Sequence, residues 1–263
     1  MRKPEAGVCC PGCPHRAAYV VVKDALGRGR GKVFCGDAGC TVVGEVHPAA
    51  TACPGGMARL LPRYAQPVPA TAQAGNAGSR PVSVCAHFVP DTQFGADDAA
   101  EAFAHLADEG EHVILCVLAS SRAYLDAKAL ESLGDRARKL GAHEVYVADP
   151  FDTAVSGDLV TKAAQTPGIT CIIFASPCAQ LQARHPLEAA EVDRISCVGC
   201  QRCVQITGCP ALSFQPPAAS IDVNACAGCD LCLDYCRTHV ILSPRVRLSP
   251  AERQAMRYQA TEA

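Results

Sequence analysis

An α/β domain followed by a small cysteine-rich α+β unit is the fold class this sequence predicts, and three observations carry it. Apolar strand-like runs and helix-like segments alternate from residue 82 to 178. A stretch rich in Pro, Gly and Ala, Pro62 to Pro81, precedes them as an irregular connection. From residue 192 the pattern changes to short segments punctuated by cysteine, with almost no regular period. The expected division is residues 1–190, 191–244 and a tail helix over 245–263, and 263 residues are ample chain for buried cores.

The elements follow in order. Ala18-Tyr19-Val20-Val21-Val22 suits a strand, or a helix continuing through Lys23 to Leu26, because short apolar runs are ambiguous. Val82–Val89 reads as a strand and Ala96–Glu109 as a helix with Asp97 and Asp98 in its favourable first turn. His112–Leu118 is a buried strand, and Tyr124–Leu140 a helix stopped by Gly141. Glu144–Ala148 is a strand, Thr153–Gln165 a helix ended by Pro167-Gly168, and Ile169–Ala175 a strand. Repeated β-α-β steps with apolar strands imply a parallel sheet covered on both faces, that is, a doubly wound arrangement. Ser249-Pro250-Ala251-Glu252 has the composition of a capping box opening an exposed or partner-facing helix.

Composition excludes several classes. A chain with 49% hydrophobic and 19% charged residues is ordinary for a globular protein and not for a disordered one. The balance of 24 basic against 26 acidic residues argues against nucleic acid as partner, and 5% aromatics with no Trp leave no stacking platform for single strands. No apolar run reaches the ~18–20 residues of a membrane helix, so no membrane insertion is expected. Met1-Arg2-Lys3-Pro4-Glu5 has no apolar signal region, and a cytoplasmic location is expected. There is neither a phosphate loop nor a nucleophile elbow, and Arg28-Gly29-Arg30-Gly31-Lys32 reads as a solvated basic turn.

The 18 cysteines are the strongest signal. In a reducing compartment, dense C-x-x-C spacing means metal or redox chemistry rather than structural disulfides. Cys197-x2-Cys200-x2-Cys203-x5-Cys209-Pro210 is followed by Cys226-x2-Cys229-x2-Cys232-x3-Cys236. That is the pattern of a ferredoxin with two [4Fe–4S] clusters, in which the fourth cysteine of each run serves the other cluster. One cluster is therefore assigned to Cys197, Cys200, Cys203 and Cys236, and the other to Cys226, Cys229, Cys232 and Cys209. Gly199 and Gly228 occupy matched positions where small residues let backbone amides approach cluster sulfurs, and Arg237 stands where the second run normally has Pro. A pair of zinc sites is the alternative, although zinc ligands usually come as separated pairs. Cys85, Cys116 and Cys171 fall on apolar strands and are expected to be core residues.

Cys10-Pro11-Gly12-Cys13-Pro14-His15-Arg16, Gly36-Asp37-Ala38-Gly39-Cys40, Asp149-Pro150-Phe151-Asp152 and Ser176-Pro177-Cys178 follow one another in that order. With the dicluster run, they make nearly all of residues 8–243 resemble the C-terminal half of the α subunit of indolepyruvate:ferredoxin oxidoreductase. The resemblance implies a thiamine diphosphate-binding-like α/β domain, with His15 and Arg16 facing the thiamine cavity or reduced to a structural role. The family holds Mg²⁺ and diphosphate with G-D-[GS] and L-D-N. Laying Gln93-Phe94-Gly95 on the family's H-S-G puts His87-Phe88-Val89 at the first place, and the next strand ends Val117-Leu118-Ala119-Ser120-Ser121. Phe88 and Ala119 offer no hard oxygen ligand, and Gly157-Asp158 lies inside an expected helix. No thiamine diphosphate is therefore expected.

Related pyruvate-type enzymes use a C-x2-C, a later cysteine and a distant S-P-C for a further cubane. That resemblance assigns a third [4Fe–4S] cluster to Cys10, Cys13, Cys40 and Cys178. The alternatives are zinc on Cys10, Cys13, Cys35 and Cys40, or an empty set, with Cys9, Cys35 and Cys53 as substitute ligands. The expected function is an iron–sulfur electron-transfer subunit of an anaerobic redox complex, passing single electrons between a partner subunit and a carrier such as soluble ferredoxin. The alternatives are a catalytic subunit of a 2-oxoacid:ferredoxin oxidoreductase with thiamine diphosphate held by or with a partner, and an oxygen-sensing cluster scaffold.

Overall fold

A computed structural model describes residues 9–27, 32–36, 46–51, 84–94, 112–182 and 187–262. The expected helix over 96–109, the connection over 62–81 and the basic turn over 28–31 lie outside the described residues, as do Cys40 and Cys53.

Five strands form one all-parallel sheet: β1 (Lys32–Gly36), β2 (Val84–Pro90), β3 (His112–Ala119), β4 (Ala142–Ala148) and β5 (Gly168–Ala175). Their spatial order is β1-β2-β3-β5-β4. β3 and β5 are buried at every residue, which is why they read as continuous apolar runs rather than alternating ones. Helices α1 (Pro14–Leu26) and α4 (Thr153–Gln165) pack with one face, through Val21, Val22, Val160 and Ala163. Helix α3 (Ala127–Lys139) covers the other through Leu133 and Ala137. This is the doubly wound α/β class. Cys116 faces the first layer, and Cys85 and Cys171 the second, all buried.

The ambiguous run Ala18–Val22 is helical. Pro14 opens α1, where its missing N–H costs no hydrogen bond, and Gly27 closes it at φ +66°. Both sides of the helix are covered: Tyr19 and Val22 meet the sheet, whereas Ala17 and Val20 meet Phe151, Leu231 and Tyr235. The helix expected over Tyr124–Leu140 starts later. A 3₁₀ turn at Arg122–Tyr124 precedes Asp126, whose carboxylate accepts from Ala129 N at 2.8 Å and sets the start of α3. A four-residue α2 (Asp91–Phe94) follows β2 directly.

The cysteine-rich half contains β6 (Glu191–Val192), α5 (Arg202–Thr207), β7 (Leu212–Gln215), β8 (Ala218–Ile221), α6 (Leu231–Asp234) and β9 (Ile241–Leu242). β6 pairs antiparallel with β9, and β7 with β8. The tail forms α7 (Pro250–Glu262), and its capping box is present: Ser249 N donates to Glu252 Oε2 at 2.8 Å, and Glu252 N to Ser249 Oγ at 3.3 Å. The expected exposed helix is exposed along one side and docked along the other. Arg257 is 3% exposed, stacks 4.5 Å over the Phe151 ring and pairs with Asp149, while Arg122 Nη2 donates to Thr261 O at 2.7 Å. These contacts seat α7 on the loops after β3 and β4. Among the described residues, no helix is long and apolar enough to cross a membrane.

Candidate metal centres

The cysteine-rich half is built twice from one local design. Asp193 and Asp222 each accept from the backbone N–H two residues on, at 3.0 Å, and their carbonyls accept from Cys197 N and Cys226 N. Each first cysteine is followed by a glycine at positive φ, Gly199 at +67° and Gly228 at +64°. Each second cysteine is followed by a left-handed residue, Gln201 at 59° and Asp230 at 66°, which redirects the chain into α5 or α6. Spacing alone revealed the C-x2-C-x2-C runs, whereas the matching D-x3-C starts went unremarked in the sequence.

The fold brings the eight cysteines together as two foursomes. Cys203 feels the charges of Cys236, Cys200 and Cys197. Cys232 feels Cys229, Cys209 and Cys226, and these last four line one cavity. Cys209 thus turns away from its sequence neighbours toward the second run. Burial pushes the Cys203, Cys209 and Cys232 thiols up and Cys229 to about 12, so a metal taking these ligands would have to displace their protons. Burial also raises Cys236, but N–H groups of Val240, Thr238 and Ile241 outweigh it and lower the thiol. Val240 N donates to Cys236 Sγ at 3.3 Å, and Gly228 N to Cys226 Sγ at 3.4 Å. Soft sulfur donors with N–H groups aimed at sulfur have the chemistry of iron–sulfur ligands and not of ligands to a hard cation.

The N-terminal set is next door. Cys9 hydrogen-bonds Cys13, and Cys178 feels both Cys13 and Cys10. Gln180 Nε2 donates to Cys10 Sγ at 3.2 Å, and Cys178 is held by its N–H on Ser120 O at 3.0 Å. Cys10, Cys13 and Cys178, far apart in sequence, are therefore gathered beyond the carboxyl ends of β3 and β5. Cys40 and the substitute Cys53 are outside the described residues, and among the described ones Cys9 stands beside the set. Cys35 does not: it packs with Cys85 and Val89 on the opposite face of the sheet, which removes it from the zinc arrangement on Cys10 and Cys13. The N-terminal loop abuts the second foursome, since a Cβ on Gly12 would stand 2.6 Å from Ala227 Cβ and 3.8 Å from Cys229 Cβ. Among the described residues, no three His, Cys, Asp or Glu side chains form a group able to hold a single metal ion.

Where the resemblance would put magnesium and diphosphate, the chain has other partners. Phe88 is 1% exposed and stacks on Tyr19 with centroids 3.9 Å apart. Asp91, which the sequence reading passed over, follows β2 directly and is 3% exposed. Its Oδ2 accepts from Ser120 N at 2.9 Å, Ser121 N at 2.9 Å and Ser121 Oγ at 2.8 Å, while Oδ1 accepts from Thr92 N at 2.7 Å. This carboxylate joins the ends of β2 and β3 by hydrogen bonds of its own. His15 Nε2 meets Ser120 Oγ at 2.8 Å, whereas Arg16 turns the other way, toward Thr207 and Gly208.

Comparison with known proteins supplies the family context. No protein-family model matches the chain. The indolepyruvate oxidoreductase subunit IorA of Archaeoglobus fulgidus is 24% identical over 255 residues, 90% of this chain and 40% of that protein. The same-named subunit of Methanothermobacter marburgensis is 24% identical over 247 residues, 86% of this chain and 38% of that protein. The chain is thus similar to the IorA subunits at low identity over most of its length. It spans about 40% of their length. IorA of Thermococcus kodakarensis is 30% identical over a shorter stretch of 90 residues, 31% of this chain and 14% of that protein. Among solved structures, a protein from Mycobacterium smegmatis described as a thiamin diphosphate-dependent enzyme is 13% identical, with TM-score 0.39, covering 67% of this chain and 34% of that one.

Proposed function

We propose that this IorA-like chain is an iron–sulfur electron-transfer subunit of a redox complex related to the 2-oxoacid:ferredoxin oxidoreductases. The observation that carries the reading is the gathering of Cys209 with Cys226, Cys229 and Cys232 about one cavity, with Cys13 on its wall. Bound there, [4Fe–4S] clusters supply one-electron transfer without bond chemistry, over potentials of ~−700 to +450 mV set by their surroundings.

The residues divide the work. Cys13 is buried, Cys209, Cys226, Cys229 and Cys232 are half-buried, and Cys200 is exposed. Ile195, just before the Cys197–Cys200 loop, and Val198, within it, are 98% and 65% exposed. This gradient supports a relay from the N-terminal set through the Cys226 foursome to the Cys197 foursome, whose open apolar rim would receive a carrier such as ferredoxin. A partner subunit would hold the reacting substrate, a reading supported by Phe88, which offers no oxygen ligand at the expected thiamine position, and by Asp91, whose carboxylate is bonded to the end of β3.

The name of the relatives favours a second reading, in which the chain is part of a catalytic 2-oxoacid:ferredoxin oxidoreductase that holds thiamine diphosphate with a partner. Anaerobic reconstitution tests the first: about eight irons from the two foursomes, four per cubane, with a reduced EPR signal, are expected. Thiamine diphosphate with Mg²⁺ is expected to leave the melting temperature unchanged. A cofactor at 100 times its Kd would stabilise by about 2.7 kcal/mol, so a shift of several degrees at millimolar cofactor would favour the catalytic reading.

A further inference from the structure

We propose that Arg16 is a positioning residue for electron transfer: a buried cation between the two cysteine sets that favours the reduced state of the cluster on Cys209, Cys226, Cys229 and Cys232. The inference rests on the cluster reading above.

Arg16 is 2% exposed, yet its bonds go to carbonyls alone. Nε and Nη2 donate to Cys10 O at 3.3 and 3.0 Å, and Nη1 donates to Thr207 O at 3.2 Å and to Gly208 O. No carboxylate pairs with it among the described residues. The other buried arginines differ: Arg245 pairs with Asp230 at 2.9 Å, and Arg257 with Asp149. A guanidinium stays charged at any accessible pH, and taking it out of water without a counter-ion is costly. Thiols lie beside it, and the carboxylate on the same cavity wall, Asp230, is taken by Arg245. Cys13 lies at the start of its own helix, and Cys209 follows Gly208, whose carbonyl it holds.

The charge balance makes this functional. Four thiolates on an oxidised cubane core of +2 carry −2 in all, and one added electron makes −3. A fixed positive charge on the wall of the same cavity stabilises the more negative state, so it raises the reduction potential. Facing both the Cys10 loop and the Cys209 backbone, Arg16 also sits where an electron would pass from one set to the other. Its neighbour His15, about 100° around the helix, takes the opposite direction to Ser120 and is not part of this device.

The test compares full-length wild type, Arg16→Gln and Arg16→Lys, each reconstituted anaerobically, by iron content and by potentiometric titration followed by EPR. The titrations are repeated in a Cys197→Ser background, where the Cys226 foursome is read without the other. Arg16→Gln is expected to keep its iron but to show a tenfold lower reduced-to-oxidised ratio at the wild-type midpoint, 59 mV for one electron. Arg16→Lys, which keeps the charge and loses the forked contacts, is expected to stay within about threefold. An unchanged Arg16→Gln midpoint overturns the proposal, as does an Arg16→Lys shift as large as tenfold. If Arg16→Gln does not fold or load, Arg16→Lys decides by the same limits. Wild type without iron would overturn the cluster reading and this inference together, whereas wild type with iron and a midpoint indifferent to Arg16 overturns this inference alone.

Discussion

Cys209 stands in the first cysteine run and faces the second, so its removal separates crossed from uncrossed ligation. Cys209→Ser is expected to cost the cluster on Cys226, Cys229 and Cys232, leaving about four of eight irons. Iron analysis and EPR check this, and damage to the Cys197 foursome instead would contradict it. A second residue-scale outcome concerns His87, 3% exposed on β2, whose imidazole burial pushes down to about 4. The unfolded ring titrates near ~6.5, so the folded pKa is the lower one. The associated stability, on the order of 3 kcal/mol by this shift, is present above about pH 6.5 and lost as pH falls toward 4. Urea midpoints of the metal-free chain should fall over that range and flatten in His87→Asn, and an equally steep variant would rule His87 out. Spacing was enough to read the ligand candidates, because a cluster loop must place its thiols locally. The buried guanidinium between them could not be read, since its partners are backbone carbonyls, at Cys10 and at Thr207 and Gly208, which every sequence offers.

Helix α4 was legible to the residue because its signals are local: Asp152 accepts from Val155 N at 3.2 Å, and Thr166 with Pro167 closes it. Helix α1 was not, because it is covered on two sides. The docking of α7 was also hidden, since a capping box specifies where a helix starts and nothing about what it lies against. Its anchor is the pair Arg257–Asp149, both under about a tenth exposed. Removing one partner of a buried pair strands the other, a loss of about 3–5 kcal/mol. Arg257→Leu should therefore lower the urea midpoint strongly, and Arg257→Leu with Asp149→Leu should recover much of it. A double variant no better than the single one would mean that Arg257 acts through its stacking on Phe151.

The molecule as a whole brings a strand end of the sheet, the N-terminal loop and the cysteine-rich half to one place, and iron stoichiometry reports whether that place is used. Under the third-cluster reading the full chain should hold about 12 irons and Cys178→Ser about 8, at four per cubane. One zinc per chain, with iron indifferent to Cys178→Ser, would make the N-terminal set a zinc site. Doubly wound topology was legible from the alternation of apolar strands and helices, but the seam between the halves was not, because its apolar contacts, small residues and carbonyls form no sequence period. There, Gly12 at φ +72° lies so close that even a methyl group would strike Ala227. Tunnelling decays exponentially with the thickness of insulation, so the bare α-carbon of Gly12 leaves the thinnest barrier a polypeptide can offer. Gly12→Ala would move no thiol ligand out of the chain and alter no charge, yet it would have to wedge the halves apart. Rapid-freeze EPR would then register slower hopping across the seam, even if each cofactor kept its own midpoint.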